Sequence, residues 1–327
     1  MTFKILNALL AIVAGIGVSL ALYWVLNFLV ERLPEKWEAR LKPWVFVGPA
    51  VLLISVILIY PAIRTIVLSF FNRSGETFVG LDNYANLATD SAFHTTLVNT
   101  LLWIIVVPVS AVILGLLVAI LADRLAPRGE KITKSTIFMP MAISMVGAST
   151  IWGMIYDWNP PGTDQIGILN AIVVALGGEP QVWLQIQTLK LNSLLLMVIL
   201  IWLQVGYAMV LISSAIKGVP EETVEAARID GANEIQAFFQ IIVPQIWGTV
   251  VTVFVTILIG VMKVFDIVYV TTNGLYGTNV IANDFFVTLF QFYDSGRASA
   301  IVVILLIAVI PVMIYQVRRF RAEEAMK

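Results

Sequence analysis

An all-α, polytopic membrane protein is the fold class that this 327-residue sequence predicts, and three observations carry the prediction. Hydrophobic residues make up 59% of the chain and charged residues only 13%, with a mean hydropathy of +0.92, which no soluble domain surface sustains. The apolar residues gather in runs of about 20 or more, the helical length that crosses a hydrocarbon core. Lys and Arg fall on alternate loops between those runs.

Seven spans are predicted in order, over residues 5–30, 44–71, 96–122, 136–157, 193–216, 247–271 and 298–317. One set of loops carries Arg32, Lys36, Arg40 and Lys42, then Arg124, Arg128, Lys131 and Lys134, then Lys217 and Arg228, and last Arg318, Arg319, Arg321 and Lys327. The other carries only Lys4, Arg73 and Lys190. This asymmetry predicts a cytoplasmic C-terminus and an outside N-terminus. The first segment is too long for a signal-peptide core and precedes basic residues, so it reads as a retained span. In the outer loop at 158–192, Pro160, Pro161 and Gly162 stop the preceding helix, and "IGILNAIVVALGG" is too short to span. No linker or tandem repeat divides the spans. The one boundary drawn separates an N-terminal helix and basic loop, residues 1–43, from the remainder, 44–327. With no cysteine, thiolate sites and disulfides are unavailable; with His94 as the single histidine, a His-based metal cluster or triad is not expected, and a net charge of −1 gives no sign of nucleic-acid binding.

A polar island at 217–246 interrupts the apolar pattern. Pro220 suits a first helical position, Glu221 and Glu222 complement the positive end of the helix dipole, and Gly231 suits a left-handed C-terminal residue. Asn233 and Gln236 have capping-box spacing for a second helix, on which Ile235, Phe238, Phe239 and Ile242 line one apolar face until Pro244 breaks it. Physically, a helix, glycine turn, helix and proline make either a well-capped loop or a docking knob.

The stretch "EAARIDGANEIQAFFQIIVPQI" resembles the EAA signature of membrane subunits of binding-protein-dependent ABC importers. The matching residues are Glu225, Ala226, Ala227, Asp230, Gly231, Ala232 and Pro244. "FVGLDNYANL", "GILNAIV", "VFDIVYVTTNG" and "GRASAIVVILLIAVIP" are similar to the sugar-uptake branch, maltose-permease-like and of alpha-glucoside type. The resemblance implies a six-helix permease core preceded by an N-terminal helix, in a bacterial inner membrane. It implies that the island is a coupling helix docking on a cytoplasmic ATPase dimer, with Ala226 and Ala227 permitting close approach and Glu225 a charged anchor. The other implied partners are a second permease subunit related by a pseudo-two-fold axis and a periplasmic or lipid-anchored sugar-binding protein. No G-x-x-x-x-G-K-[ST] stretch occurs, so ATP and Mg are expected on the partner ATPase, and this chain is expected to bind no cofactor and catalyse no reaction.

Polar residues within spans point to the substrate path. Gln204 and Tyr207, three residues apart, share a helix face and supply an amide, a phenol and a ring suited to sugar hydroxyls and pyranose faces. The resemblance adds Leu203, and on the sixth span Ile257, Gly260, Val261 and Val264. Lys263 and Asp266 are spaced to pair with each other on that helix, or else to face the path. An ion-coupled secondary transporter is the alternative, for which Asp266 is the one candidate carboxylate. A membrane-embedded enzyme lacks a catalytic cluster.

Overall fold

The computed structural model describes the backbone of residues 2–325, and the side chains of 6–318 apart from 8, 9 and 12. Lys327, counted among the basic loop residues, lies outside the described residues, as do the side chains of Lys4, Arg319 and Arg321. The chain forms two compact units, Met1–Val67 and Leu68–Lys327. The boundary drawn at 43/44 from the charge pattern falls inside a helix.

In the first unit, α1 (Thr2–Val30) is followed by α2 (Glu35–Ile54), which continues through a π-helical turn, Ser55–Ile59, into α3 (Tyr60–Leu68). Tyr23 Oη donates to Phe46 O at 3.1 Å, joining α1 to α2. The π turn has a cause in sequence. Pro61 has no N–H for the carbonyl four residues back and its ring crowds that carbonyl, so the helix widens: Tyr60 N–H donates five residues back, to Ser55 O.

The second unit holds α4 (Asp82–Thr89), α5 (Ser91–Asp123), α6 (Pro127–Phe138), α7 (Met145–Ile155), α8 (Ile168–Ala175), α9 (Leu191–Lys217), α10 (Glu221–Ile229), α11 (Glu234–Ala237), α12 (Val243–Val261), α13 (Asp266–Thr271), α14 (Ile281–Phe290) and α15 (Ser295–Ala325). Its core is α5 packed against α9, with Trp103, Val107 and Ala111 meeting Leu196, Leu200 and Leu203, and α12 adding Val253, Ile257 and Val261. Apolar burial does not drive association inside lipid, so the close approach has to come from small residues. Gly115 supplies it: a Cβ there would lie 2.5 Å from the Ala208 Cβ. At the end away from α10, buried amides bind the crossing. Asn99 Nδ2 donates to Gly277 O at 2.7 Å and Asn279 O at 2.9 Å, and Asn192 Nδ2 to Tyr276 O at 2.8 Å.

Six helices among the described residues are long and apolar enough to cross a membrane, and a bent pair makes a seventh. Two of the predicted spans are not single helices. The one expected over 136–157 is α6 and α7, bent by 105°. Pro140 tightens the chain into a 3₁₀ turn, Ile143 is extended, and Ser144 starts α7 anew by accepting the Gly147 N–H at 3.1 Å. The one expected over 247–271 ends at Val261, turns through Met262–Phe265 and resumes as α13. Conversely, Pro244 does not break the helix before it. Residues 234–261 stay helical because a second π turn, Phe238–Ile242, precedes this proline as the first precedes Pro61, with Val243 N–H donating to Phe238 O.

Candidate coupling loop and translocation face

α10 is built by its ends. Pro220 precedes it as the capping residue, one position earlier than expected, and Glu221 and Glu222 occupy its first turn. At the other end Gly231 has φ +89°, Gly231 N–H donates to Arg228 O at 3.1 Å, and Ala232 N–H to Ala227 O at 3.0 Å. These two bonds are the Schellman pattern, which only a left-handed residue closes without strain. The next helix opens with a complete capping box, Gln236 N–H to Asn233 Oδ1 and Asn233 N–H to Gln236 Oε1, both 2.9 Å. Arg228 spans the turn to Glu234, with Nε 2.9 Å from Oε1.

α10 is thus held without a buried residue of its own, α11 buries only Ala237, and the knob's surface stays open. Glu225, Ala226, Asp230, Gly231 and Pro244 are exposed, and Ala227 and Ala232 half-buried. Ala226, Ala227, Gly231 and Ala232, with Gln236 and Gln240, line a cleft of about 510 Å³. The predicted apolar face is split. Phe238 and Ile242 are half-buried, but Ile235 is 70% and Phe239 63% exposed, joining Ile229 at 86%. The π turn, which adds a residue to the helical period, divides a face that a 3.6 repeat would have kept whole. Large apolar side chains exposed on a polar knob are a surface of the kind that meets another protein or the membrane.

The predicted path residues separate into two groups. Leu203, Ile257, Val261 and Val264 are at most 4% exposed and pack in the core. Gln204 and Tyr207 are half-buried on α9, and Gly260 is exposed, with nothing within 4 Å of where a Cβ would sit. Lys263 and Asp266 do not pair: no ion pair joins them among the described residues, because the helix that would set their spacing stops between them. Lys263 is exposed and Asp266 half-buried.

What sequence reasoning missed is the neighbouring face of α12. Gln245, Thr249, Thr252 and Thr256 recur at helical spacing, leading to the predicted Gly260, and none is buried. The Thr252 and Thr256 hydroxyls bond back to Gly248 O and Thr252 O at 2.9 and 2.8 Å. The signal was there as the threonine spacing, which a search for asparagine and aromatic residues passes over. Such a threonine stripe, with its hydroxyls satisfied within the helix, suits water or a polar neighbour. Elsewhere in the second unit, Trp152 of α7 meets Trp202 of α9 edge-on at 5.9 Å and Tyr156 at 5.5 Å.

Long apolar helices, one with a polar uncovered face, and an exposed knob capped at both ends define a membrane-embedded transport component. Residues 111–319 match the family described as binding-protein-dependent transport system inner membrane component. The alpha-glucoside transport system permease protein AglF of Rhizobium meliloti is 45% identical over 334 residues, 98% of each chain. The osmoprotective compounds uptake permease protein GgtC of Synechocystis is 47% identical over 282 residues, covering 86% of this chain and all of that one. A chain of a bacterial ABC transporter involved in the import of the acidic polysaccharide alginate shares the fold, with a TM-score of 0.74 at 18% identity, over 88% of this chain and 99% of that one. The chain belongs to the binding-protein-dependent transport system inner membrane components. It is a multi-pass permease of the importer class, whose members transport rather than catalyse.

Proposed function

We propose that this chain forms half of the translocation path for a disaccharide or oligosaccharide of the alpha-glucoside, maltose or trehalose class, and couples its passage to ATP hydrolysis on a separate subunit. The observation that carries the reading is the α10 knob, exposed and sterically open, with small Ala226 and Ala227 beside Gly231 and a bulky apolar rim. Such a surface fits a groove on a cytoplasmic ATPase dimer, to which ATP and Mg belong. The orientation follows from the basic loops, with the knob and C-terminus inside and the N-terminus outside. A second permease subunit would complete the path and cover the uncovered face of α12, and a binding protein would deliver the sugar. Within the path, Gln204 and Tyr207 on α9 and Gly260 on α12 contact substrate, and Glu225, Ala226, Ala227, Asp230, Gly231 and Ala232 contact the ATPase. The sugar class rests on the full-length likeness to AglF. The likeness to GgtC supports osmoprotective solutes as a second substrate class.

The test is transport by the assembled complex in proteoliposomes, with ATP inside and binding protein outside. Uptake of maltose or trehalose, with ATP hydrolysis stimulated by binding protein and sugar, is the expected result. Uptake driven by an ion gradient without ATP would establish a secondary transporter instead.

A further inference from the structure

One charged cluster sits at the foot of the knob, where Asp123 lines a cleft with Val224 and Arg228 of α10, and includes none of the residues assigned to docking or to the path. Asp123 ends α5, Glu130 and Lys134 lie one turn apart on α6, and Ser213 and Lys217 lie one turn apart at the end of α9. Lys134 Nζ donates to all three neighbours within reach: Asp123 Oδ1 at 2.5 Å, Ser213 Oγ at 2.5 Å and Glu130 Oε1 at 2.6 Å. Ser213 Oγ donates on to Asp123 at 2.9 Å, and Lys217 bonds Glu130. The ammonium's three donors are thereby all used, each on a different partner. Two cations and two carboxylates balance, and Asp123, Glu130 and Lys134 are only 16–21% exposed while Ser213 is 3% exposed.

Such a network is a poor way to gain stability. Removing charges from water costs most of what their attraction returns, and apolar residues of similar volume would hold the helices at least as well. The network instead supplies direction, since its bonds are met only when the three helix ends hold one relative placement. That placement matters because each end leads into a working part of the molecule. Lys217 is the last residue of α9, and only Gly218, Val219 and Pro220 separate it from α10. α6 leads through the 105° bend into α7, which carries Trp152 against Trp202 and packs on α13 beyond the break in the sixth span.

We propose that Lys134 is a positioning residue for energy coupling: it clamps the stem of the α10 knob to α5 and α6, so that a displacement of the knob moves the three helix ends as one body. The proposal rests on reading α10 as the ATPase-docking element. Without the clamp, α9 would yield alone and the stroke would not reach α6 and α7.

The experiment compares wild type with Lys134→Met, Lys134→Arg and Ser213→Ala in the reconstituted complex. It reads three quantities: ATPase co-purified per permease, ATP hydrolysis with and without binding protein, and sugar transported per ATP. Lys134→Met is expected to retain the ATPase but hydrolyse ATP without requiring binding protein, with sugar per ATP falling about five-fold or more, the size of a typical coupling free energy. Lys134→Arg should restore most of the ratio, since it keeps the charge and the donors. Ser213→Ala removes the hydroxyl's bonds to Lys134 and Asp123 but leaves Lys134 its two carboxylate partners, and should lower the ratio by a smaller factor; if Lys134→Met does not assemble, this variant decides. A merely structural cluster would lower yield and total transport while leaving sugar per ATP unchanged. An unchanged ratio in Lys134→Met, or in Ser213→Ala alone where the other fails, overturns the proposal. A wild-type complex that never retains an ATPase would overturn the reading of α10 itself, a different failure.

Discussion

At the scale of single residues the knob depends on one backbone torsion. Gly231 sits at φ +89°, where a β-branched side chain is strained by about 2 kcal/mol, and its two turn bonds cannot form elsewhere. Gly231→Val is therefore expected to insert normally yet abolish ATP-driven transport, and Ala227→Asp to do the same by placing a carboxylate where a partner must approach. Glu222→Gln, at a solvated first turn, should change transport little. Membrane insertion, ATPase retention and uptake, measured together, check all three. A second residue-level expectation concerns the other end of the molecule. Asp90 caps α5 by accepting the Ala92 N–H at 2.8 Å, and Arg297, 2.5 Å away, holds its carboxyl below the ordinary value of 3.8. A carboxylate with a lowered folded pKa stabilises the fold fully above its unfolded value, and loses that contribution as pH falls through the folded one. Arg297→Met should then be less stable than wild type by roughly 1 kcal/mol at neutral pH, as expected for a partly screened pair. The difference should shrink below about pH 4 in thermal unfolding of detergent-solubilised protein. Gly231 and the Asn233–Gln236 box were legible in the sequence because caps are local chemistry. Asp90–Arg297 was not, because nothing local links residues 207 positions apart.

At the scale of elements, hydropathy located every span but was blind to bends. A window average registers composition, and neither the 105° bend at Met139–Ser144 nor the break at Met262–Phe265 changes it enough. The two π turns show the same limit. Pro244 reads as a helix breaker, yet it is absorbed, as Pro61 is within its own span, by widening the turn before it, which keeps the span continuous. The second π turn rotates the helix beyond it, and that shifts the face α12 presents. Val261, and Val264 beyond the break, were expected in the path but lie in the core, while Thr256 is exposed and Thr249 and Thr252 are half-buried. Substitutions can separate these faces. Thr256→Leu, which adds bulk to the uncovered face without entering the core, is expected to lower uptake or alter sugar preference while leaving thermal stability nearly unchanged. Val261→Ala should instead cost about 1–2 kcal/mol of stability through the cavity it leaves. Uptake kinetics and unfolding midpoints measured side by side would distinguish them; equal loss of stability in both would place Thr256 in a packed interface rather than a path.

At the scale of the whole chain, the membrane architecture and the EAA knob were legible in the sequence, and the helix faces that divide core from path were not. Composition sums over the chain and survives any folding, whereas a face depends on where each helix starts, bends and rewinds. The coupling role stands on the knob meeting an ATPase. The sequence contains no cysteine, so one introduced at Ala226, exposed on α10, is a unique reporter. In membranes from cells making the whole complex, Ala226→Cys is expected to form a disulfide with a matching cysteine in the ATPase surface groove. It should also resist an impermeant maleimide added outside intact cells and react with it once the membrane is opened. Labelling from outside in intact cells, with no cross-link to the ATPase at any groove position, would contradict both the orientation and the coupling role.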